Sequence, residues 1–94
     1  MTLVWSRRAI RDLEAVRTYV AQDNPTAAQK LGLRLEQATT LLLTQPGLGR
    51  PGRVHGTREL VVSGTPYLIP YRVRGQRIEI LRVFHTARQW PPRV

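Results

Sequence analysis

The spacing of apolar residues divides the chain into a first strand, two helices and three later strands. The short apolar run "TLVWS" (2–6) predicts the first strand. From Ser6, a suitable helix N-cap, apolar residues recur at three- and four-residue spacing, the period of a helix with one buried face. The members of this first stripe are Ala9, Ile10, Leu13, Val16 and Val20.

A second helix begins after the break "AQDNPTAA". The residue before Pro25 disfavours helix, whereas proline is well tolerated in a first helical turn. A second stripe then runs to about Thr44, so two amphipathic helices joined by few residues predict an antiparallel hairpin. The second stripe contains Ala27, Ala28, Leu31, Leu35, Ala38 and Leu42.

The second half of the chain predicts a loop followed by three strands. "QPGLGRPGRVHG" (45–56) holds four glycines and two prolines, which indicates a loop. Extended segments at 57–62, 66–73 and 77–85 follow, separated by "SGT" and "RGQ", which suit hairpin turns. The order β-α-α-β-β-β predicts an α+β domain, in which an antiparallel helical hairpin packs on a small, mostly antiparallel four-stranded sheet.

Two features of the predicted sheet concern its side chains. Pro70 falls in mid-strand, where its missing amide donor predicts a bulge or a local loss of pairing. Strict alternation groups Ile78, Ile80, Arg82 and Phe84 on one face of the last strand. Alternation does not decide which face meets the helices. The candidates for a common basic surface, all from adjacent strands, are Arg58, Arg72, Arg82 and His85.

Length and composition indicate one domain spanning residues 1–94, because chains this short support a single core. The absence of cysteine excludes disulfides and thiolate metal sites, which suits a reducing compartment. The first apolar run is too short for a signal peptide, and none approaches the ~18 residues of a membrane span. We therefore expect a cytoplasmic protein that has no membrane partner, metal or cofactor.

The excess of basic over acidic residues is the strongest indication of a binding partner. Fourteen arginines and one lysine face six acidic residues, for a net charge of +9, and residues 50–94 alone hold nine arginines against two glutamates. Such an excess predicts an anionic partner, either nucleic acid or an acidic protein. Codon preference would explain the use of arginine in place of lysine as well as anion binding does. It does not explain why basic residues outnumber acidic ones.

Candidate chemistry concentrates in "ILRVFHTARQWPP" (80–92). His85 is an imidazole that exchanges protons near neutral pH, so it is a candidate general acid or base. Alternatively it caps the strand and stacks on Trp90, or hydrogen-bonds a backbone carbonyl. Arg82 and Arg88 flank it and either stabilise a reacting phosphate or pair with partner carboxylates. Trp90 is either a plug over the end of the sheet or a stacking surface.

Arg58 is a further candidate, at the start of a strand after the long loop. It is suited to gripping a phosphate, and the alternative is a salt bridge to Glu79 or Glu36. The sequence contains no Gly-rich phosphate-binding loop after a strand and no His, Asp and Glu residues at the spacing of metal ligands. A Ser-His-Asp catalytic triad cannot be composed from it either.

These segments together resemble the RelE/ParE superfamily of bacterial type II toxins. The resemblance rests on the element order over about ninety residues and on "WSRRAIRDLEAVRTYVAQDNPTAA", "LGRPGRVHGTREL", "PYLIPYRV" and "EILRVFHTARQWP". It implies a growth-inhibiting toxin encoded beside a small acidic antitoxin, which wraps the toxin in a hetero-oligomer and neutralises it.

The superfamily divides by target into RelE-like, ribosome-dependent mRNA endonucleases and ParE-like poisons of DNA gyrase. This chain looks closer to the ParE and plasmid-stabilisation side. Where RelE uses an arginine in the third strand and lysines in the second, it has Leu68, Glu59 and Val61. The resemblance therefore implies a gyrase inhibitor without catalysis.

The alternative is a nuclease acting on mRNA at the ribosome, in which His85, Arg58 and Arg82 would be catalytic. Some nucleases of the superfamily use a last-strand histidine, and His85 occupies a comparable place. In either case the residues expected to contact the target or partner are Arg58, Arg82, His85, Arg88 and Trp90.

Overall fold

The computed structural model describes residues 1–87 and confirms the α+β architecture. The helices are α1 (Arg7–Ala21) and α2 (Pro25–Thr40), and a 3-10 turn (Leu41–Leu43) extends α2 towards the predicted end at Thr44. The strands within this part of the chain are β1 (Thr2–Trp5), β2 (Arg50–Pro51), β3 (Arg58–Val61), β4 (Tyr67–Arg74), β5 (Arg77–Ile80) and β6 (Phe84–His85).

Both helices begin where the sequence predicts. The Ser6 side chain accepts a hydrogen bond from the amide of Ala9, and the Asn24 side chain accepts one from the amide of Ala27. Pro25 occupies the first turn of α2, where its missing N–H costs no helical hydrogen bond. Asn24 and Pro25 thus fix the break between the helices, which form the predicted hairpin. Neither helix, nor any other helix within residues 1–87, is long and apolar enough to cross a membrane.

The sheet has the strand order β1-β5-β4-β3-β2, and β6 pairs with β4 beyond the end of β5. All pairs are antiparallel except β1 with β5, which are parallel and are connected by a long crossover that contains the helical hairpin and β2–β4. The predicted count of four strands is wrong in two places. Strand β2 falls in the predicted loop, because two residues, one of them proline, carry no alternation that would predict a strand. The last predicted strand is split into β5 and β6.

The split follows from Pro70. Pairing between β4 and β5 ends at Tyr71 opposite Ile80, and pairing with β6 resumes at Leu68 opposite Phe84. Three residues (81–83) therefore oppose two residues of β4, and one of those two is Pro70, which has no amide to donate. Its carbonyl still accepts a hydrogen bond of 2.9 Å from the amide of residue 81. The expected bulge is confirmed.

The bulge also overturns the predicted face of the last strand. One extra residue reverses the alternation, so Val83 joins Ile78 and Ile80 in the core. Phe84 pairs with the opposite row of side chains, and Arg82 lies within the bulge. The grouping of Arg82 and Phe84 with the two isoleucines is therefore wrong.

We call the face of the sheet that packs on the helices the inner face and the opposite one the outer face. The core lies between the inner face and the helical hairpin. Its buried members are Ala9, Leu13, Leu35, Ala38, Leu42, Leu60, Val62, Tyr67, Ile69, Tyr71, Ile78, Ile80 and Val83. By register, Arg58 and His85 belong to the inner row, whereas Glu59, Arg72 and Glu79 belong to the outer row.

Candidate functional site

His85 lies at the rim of a cleft between α1 and the end of the sheet. The cleft has a volume of about 590 Å³, and its lining includes Val16, Tyr19 and Tyr67. The exposed imidazole stands edge-on to the ring of Tyr67 with the centroids 5.6 Å apart, and its Nδ1 accepts a hydrogen bond of 3.2 Å from the amide of Ala87. This hydrogen bond of His85 is thus to a backbone amide and not to the carbonyl that the alternative predicts, and the ring is still accessible to a partner.

Tyr19 gives the cleft an exposed aromatic wall. Its side chain is 72% exposed, although it stands on a helix whose other face packs into the core. Large exposed aromatics are enriched at protein interfaces because they supply wide contact area at low entropic cost. Tyr19 and His85 therefore make this cleft a candidate docking site.

Arg82 is fixed to α1 by Asp12. Its Nε donates to Asp12 Oδ2 at 2.8 Å and its Nη2 donates to Asp12 Oδ1 at 3.2 Å, which is a bidentate pair. The amide of Val83 donates to the same carboxylate at 2.9 Å, and both charged side chains are only 15% exposed. The guanidinium also lies 4.5 Å from the ring centre of Phe84. This Asp12–Arg82 clamp holds the bulge against α1. The Arg82 guanidinium, which the sequence suggests for binding phosphate, is thereby paired with a carboxylate of its own chain.

Arg58 is likewise held by its own chain. Its Nη1 donates to the carbonyl of Gly49 at 2.8 Å, so the guanidinium fastens the loop that precedes β3. The salt bridge predicted as the alternative, to Glu79 or Glu36, is not formed. Glu79 pairs with other arginines, and Glu36 pairs with Arg17.

Tyr71 is the second anchor of this loop. Its hydroxyl donates to the carbonyl of Pro46 at 2.6 Å and accepts from the amide of Gly49 at 2.9 Å. Burial raises the pKa of Tyr71, while the Gly49 hydrogen bond and the Arg58 charge oppose that rise. The sequence predicted Tyr71 as core, which is confirmed, but not its role as an anchor, since no local pattern brings residues 46 and 71 together.

The candidate catalytic residues do not converge. Arg58 stands opposite Tyr71 on one side of β4, and His85 stands opposite Tyr67 on the other side. Four residues along a strand and two strand spacings separate their backbones by about 16 Å. Arg82 is also held against α1 by Asp12. Within residues 1–87, Arg58, Arg82 and His85 are therefore not arranged to contact one and the same substrate phosphate.

Glu59 is a buried carboxylate on the outer row, 1% exposed. It accepts from Arg50 Nη2 at 3.3 Å and from the backbone amide of Arg53 at 2.9 Å, and Arg53 Nε lies 3.5 Å away. The charge of Glu59 is thus met by two arginines from the loop. This contact holds residues 50–53 against β3 and presents both guanidiniums at the surface.

Glu79 has a similar setting on the neighbouring strands. The Arg72 Nε donates to one carboxylate oxygen at 2.5 Å, and Arg77 Nη2 lies 3.3 Å from the other. The hydrogen bond from Arg72, with the nearby charges of Arg72, Arg77 and Arg74, lowers the pKa of Glu79. The predicted common surface of Arg58, Arg72, Arg82 and His85 is wrong, because Arg72 belongs to the outer row.

Five of the seven arginines between residues 50 and 87 therefore lie on the outer face. Two glutamates are each surrounded by arginines, which outnumber them. The surrounding arginines are Arg50, Arg53, Arg72, Arg74 and Arg77. The predicted contacts of Arg88 and Trp90 lie outside the described residues. Among residues 1–87, no three His, Cys, Asp or Glu side chains are grouped to hold a metal ion.

Comparison with known proteins identifies the family. Residues 3–90 match the family model described as the ParE toxin of type II toxin-antitoxin system, parDE. The chain belongs to the ParE toxin family. It is therefore a toxin of the RelE/ParE superfamily, acting within a type II toxin–antitoxin system whose other component is an antitoxin.

Curated relatives and a solved structure agree with the ParE family. The chain is 44% identical over 87 residues to the putative toxin Y4kP of Sinorhizobium fredii, covering 93% of this chain and 90% of that protein. It is 43% identical over 86 residues to toxin RelE2 of Caulobacter vibrioides, covering 92% and 96%. A chain of the chromosomal ParDE system from P. aeruginosa superposes with a TM-score of 0.81 at 35% identity, covering 90% and 95%.

Proposed function

We propose that this ParE-family toxin arrests growth by binding DNA gyrase, without breaking a covalent bond itself, and that an acidic antitoxin neutralises it in the cytoplasm. The observation that supports this most is the dispersal of the candidate catalytic groups. Arg58 is fastened to the loop, Arg82 is clamped to Asp12, and His85 stands about 16 Å from Arg58 along the sheet. RNA cleavage needs a proton-transfer group and fixed positive charge within contact of one phosphate.

The outer row supports the same proposal. Leu68 and Glu59 occupy the positions where the resemblance to RelE implies cationic catalytic residues, and here they are 2% and 1% exposed. A buried leucine offers no charge to a phosphate. The carboxylate of Glu59 would repel one, were it not met by Arg50 and Arg53. Neither residue is suited to RelE-type chemistry.

We place the contact with the target or antitoxin at the cleft that Tyr19 and His85 border. Arg88 and Trp90 follow closely in sequence after Ala87, which lines the cleft, so they are proposed as part of the same contact. Arg58 and Arg82 shape the surface in this proposal, through the loop and the bulge that they hold.

The alternative, a ribosome-dependent mRNA endonuclease, has one structural observation in its favour. The His85 imidazole is exposed at the rim of the cleft, as a general acid or base must be. The name RelE2 of the Caulobacter relative points in the same direction.

Expression of the His85→Ala variant separates the two functions. Loss of a catalytic acid or base costs about 10²–10⁴-fold in rate, so a nuclease would cease to arrest growth. Loss of one contact residue costs about tenfold or less at most interface positions, so a gyrase inhibitor would still arrest growth at higher expression. His55→Ala, another exposed histidine, is the matched control, and retained antitoxin binding shows that the variant folds.

Two direct assays complete the test. For the gyrase inhibitor, we expect purified toxin to block DNA supercoiling by gyrase, and we expect expressing cells to filament with a DNA-damage response. If excess toxin leaves supercoiling unaltered while mRNA is cut at translating ribosomes, and His85→Ala abolishes that cutting, the gyrase proposal is refuted and the nuclease is established.

A further inference from the structure

We propose that the outer face of the sheet binds the phosphate backbone of a double-stranded nucleic acid. The surface in question, the outer arginine face, comprises Arg50, Arg53, Arg72, Arg74 and Arg77 around Glu59 and Glu79. This proposal concerns a surface remote from the cleft, and it does not depend on whether gyrase is the target.

The first observation is a like-charge pair in the β4–β5 hairpin. Arg74 stands directly opposite Arg77, and Arg72 precedes them in the same row. Like charges placed opposite each other across two strands are destabilising. Glu79 is the carboxylate that these three guanidiniums surround, so the hairpin carries a local excess of two positive charges. The isolated fold does not benefit from this arrangement, whereas a bound polyanion would offset the repulsion.

The second observation is the extent of the charge. Glu59 stands opposite Pro70 on one side of β4, and Glu79 stands opposite Arg72 on the other. Two residues along the strand and two strand spacings therefore separate the backbones of Glu59 and Glu79, around which the arginines gather, by about 12 Å. Five positive against two negative charges leave the face with a net excess spread over four strands. Such a surface suits repeated phosphates better than a single small anion.

The guanidiniums are also held in position. Arg72 and Arg77 are hydrogen-bonded or paired to Glu79, yet their side chains remain 38% and 53% exposed. Arg50 is anchored on Glu59 and is 57% exposed. Anchoring on one side with exposure on the other reduces the entropy lost when an anion binds.

Duplex backbone is favoured over the other anionic partners. Single strands are gripped by exposed aromatic rings, but Phe84, the aromatic of the described outer row, is 4% exposed beneath Arg82. An acidic peptide would need apolar anchors close together. Leu68 and Pro70 are buried, and the exposed valines of the described outer row, Val4 and Val61, stand on β1 and β3 with two strands between them. A mostly apolar pocket lined by Leu41, Leu48 and Val61 adjoins Arg50, but the arginines around Glu79 do not line it. Charge without base stacking is what sequence-independent binding to a duplex requires.

The test measures binding of purified toxin to a fluorescent 20-base-pair duplex by anisotropy between 50 and 200 mM salt. The variant Arg74→Gln/Arg77→Gln removes two phosphate contacts, so the slope of log K against log salt should fall by about 1.8 and affinity at 0.1 M salt by about 60-fold. The control is Arg8→Gln/Arg11→Gln, which removes two exposed charges from α1 on the other layer. These charges lie far enough away to be screened, since the Debye length at 0.1 M is about 10 Å, so binding should stay near wild type.

The variant removes a like-charge pair together with the exposed salt bridge of Arg77 to Glu79, which keeps Arg72 as its partner, so the melting temperature should change little. A thermal scan of the variant checks that it is folded under the binding conditions. Equal affinities and slopes for the two double variants would overturn the proposal. Tighter binding of a single strand, or of polyglutamate, than of the duplex at equal salt would also overturn it, in favour of base stacking or an acidic peptide. Parallel titrations of DNA and RNA duplexes identify which source of phosphate backbone the face prefers.

Discussion

Replacing Asp12 with alanine should destabilise the fold more than any other single change to a charged residue of α1. The Asp12 carboxylate accepts two hydrogen bonds from Arg82 and one from the amide of Val83. The variant leaves the guanidinium without its counter-charge at a position where 15% of the side chain is exposed. It also leaves the amide within the bulge without its acceptor.

The size of the effect follows from these contacts. Removing one partner of a buried ion pair costs about 3–5 kcal/mol, and the residual exposure of Asp12 and Arg82 places this pair at about 3 kcal/mol. The unpaired amide of Val83 adds about 1 kcal/mol. Because 1 kcal/mol shifts the melting temperature of a domain this size by about 4–8 °C, Asp12→Ala should lower it by about 16–32 °C. Asp12→Asn keeps an oxygen for the amide and should cost about half as much in free energy.

Urea unfolding followed by circular dichroism measures the free energy, and a thermal scan measures the melting temperature. Glu14→Ala is the matched control, since it removes an exposed carboxylate from the same helix and should change stability by no more than about 0.5 kcal/mol. If Asp12→Ala lies within about 1 kcal/mol of wild type, Arg82 is not clamped as described. Arg82 would then be available for phosphate chemistry, and the case against the nuclease would lose one of its supports.

The loop anchors give two further predictions. Gly49→Ala places a Cβ 2.6 Å from the rigid Tyr71 ring and should cost about 1–3 kcal/mol in urea unfolding, whereas Gly47→Ala, with open space around it, should cost less than about 0.5. Tyr71→Phe leaves the amide of Gly49 unpaired and should cost about 1–3 kcal/mol at neutral pH. Because the folded pKa of Tyr71 is raised, its contribution is complete below about pH 10 and is lost as pH rises through the folded value, so the variant should show a flatter alkaline limb.

Much of the fold could be predicted because its signals are local. The helix starts at Ser6 and Asn24 follow from side chains that bond the first turn. The two apolar stripes indicate which helix faces pack on the sheet, although Ile10 of the first stripe is exposed. The bulge at Pro70 could be predicted as well, since a missing donor is a property of one residue. The consequence of the bulge for residues 82–85 could not, because the number of residues that a bulge absorbs depends on where pairing resumes.

The partners of the charged residues could not be predicted for a related reason. Asp12 meets Arg82 across 70 positions, and Arg58 meets the Gly49 carbonyl through a loop whose path depends on Tyr71. No periodicity records such contacts. The excess of arginine in the second half was visible in the composition, but its location on the outer face required the register of β3, β4 and β5.

A single backbone defect connects the fold to the proposed function. Because Pro70 cannot donate, the chain after β5 gains a residue, and that residue allows Arg82 to lie within reach of Asp12. In an uninterrupted strand, strict alternation would place Arg82 on the inner face together with Ile80. It would place residue 85 on the outer face, whereas His85 belongs to the inner row. The same bulge thus binds the arginine that a nuclease would use and brings the imidazole to the cleft beside Tyr19. The cleft therefore exposes His85 and Tyr19 to a partner, while Arg82 is paired with Asp12 and is not free to stabilise the negative charge that develops when a phosphodiester is cleaved.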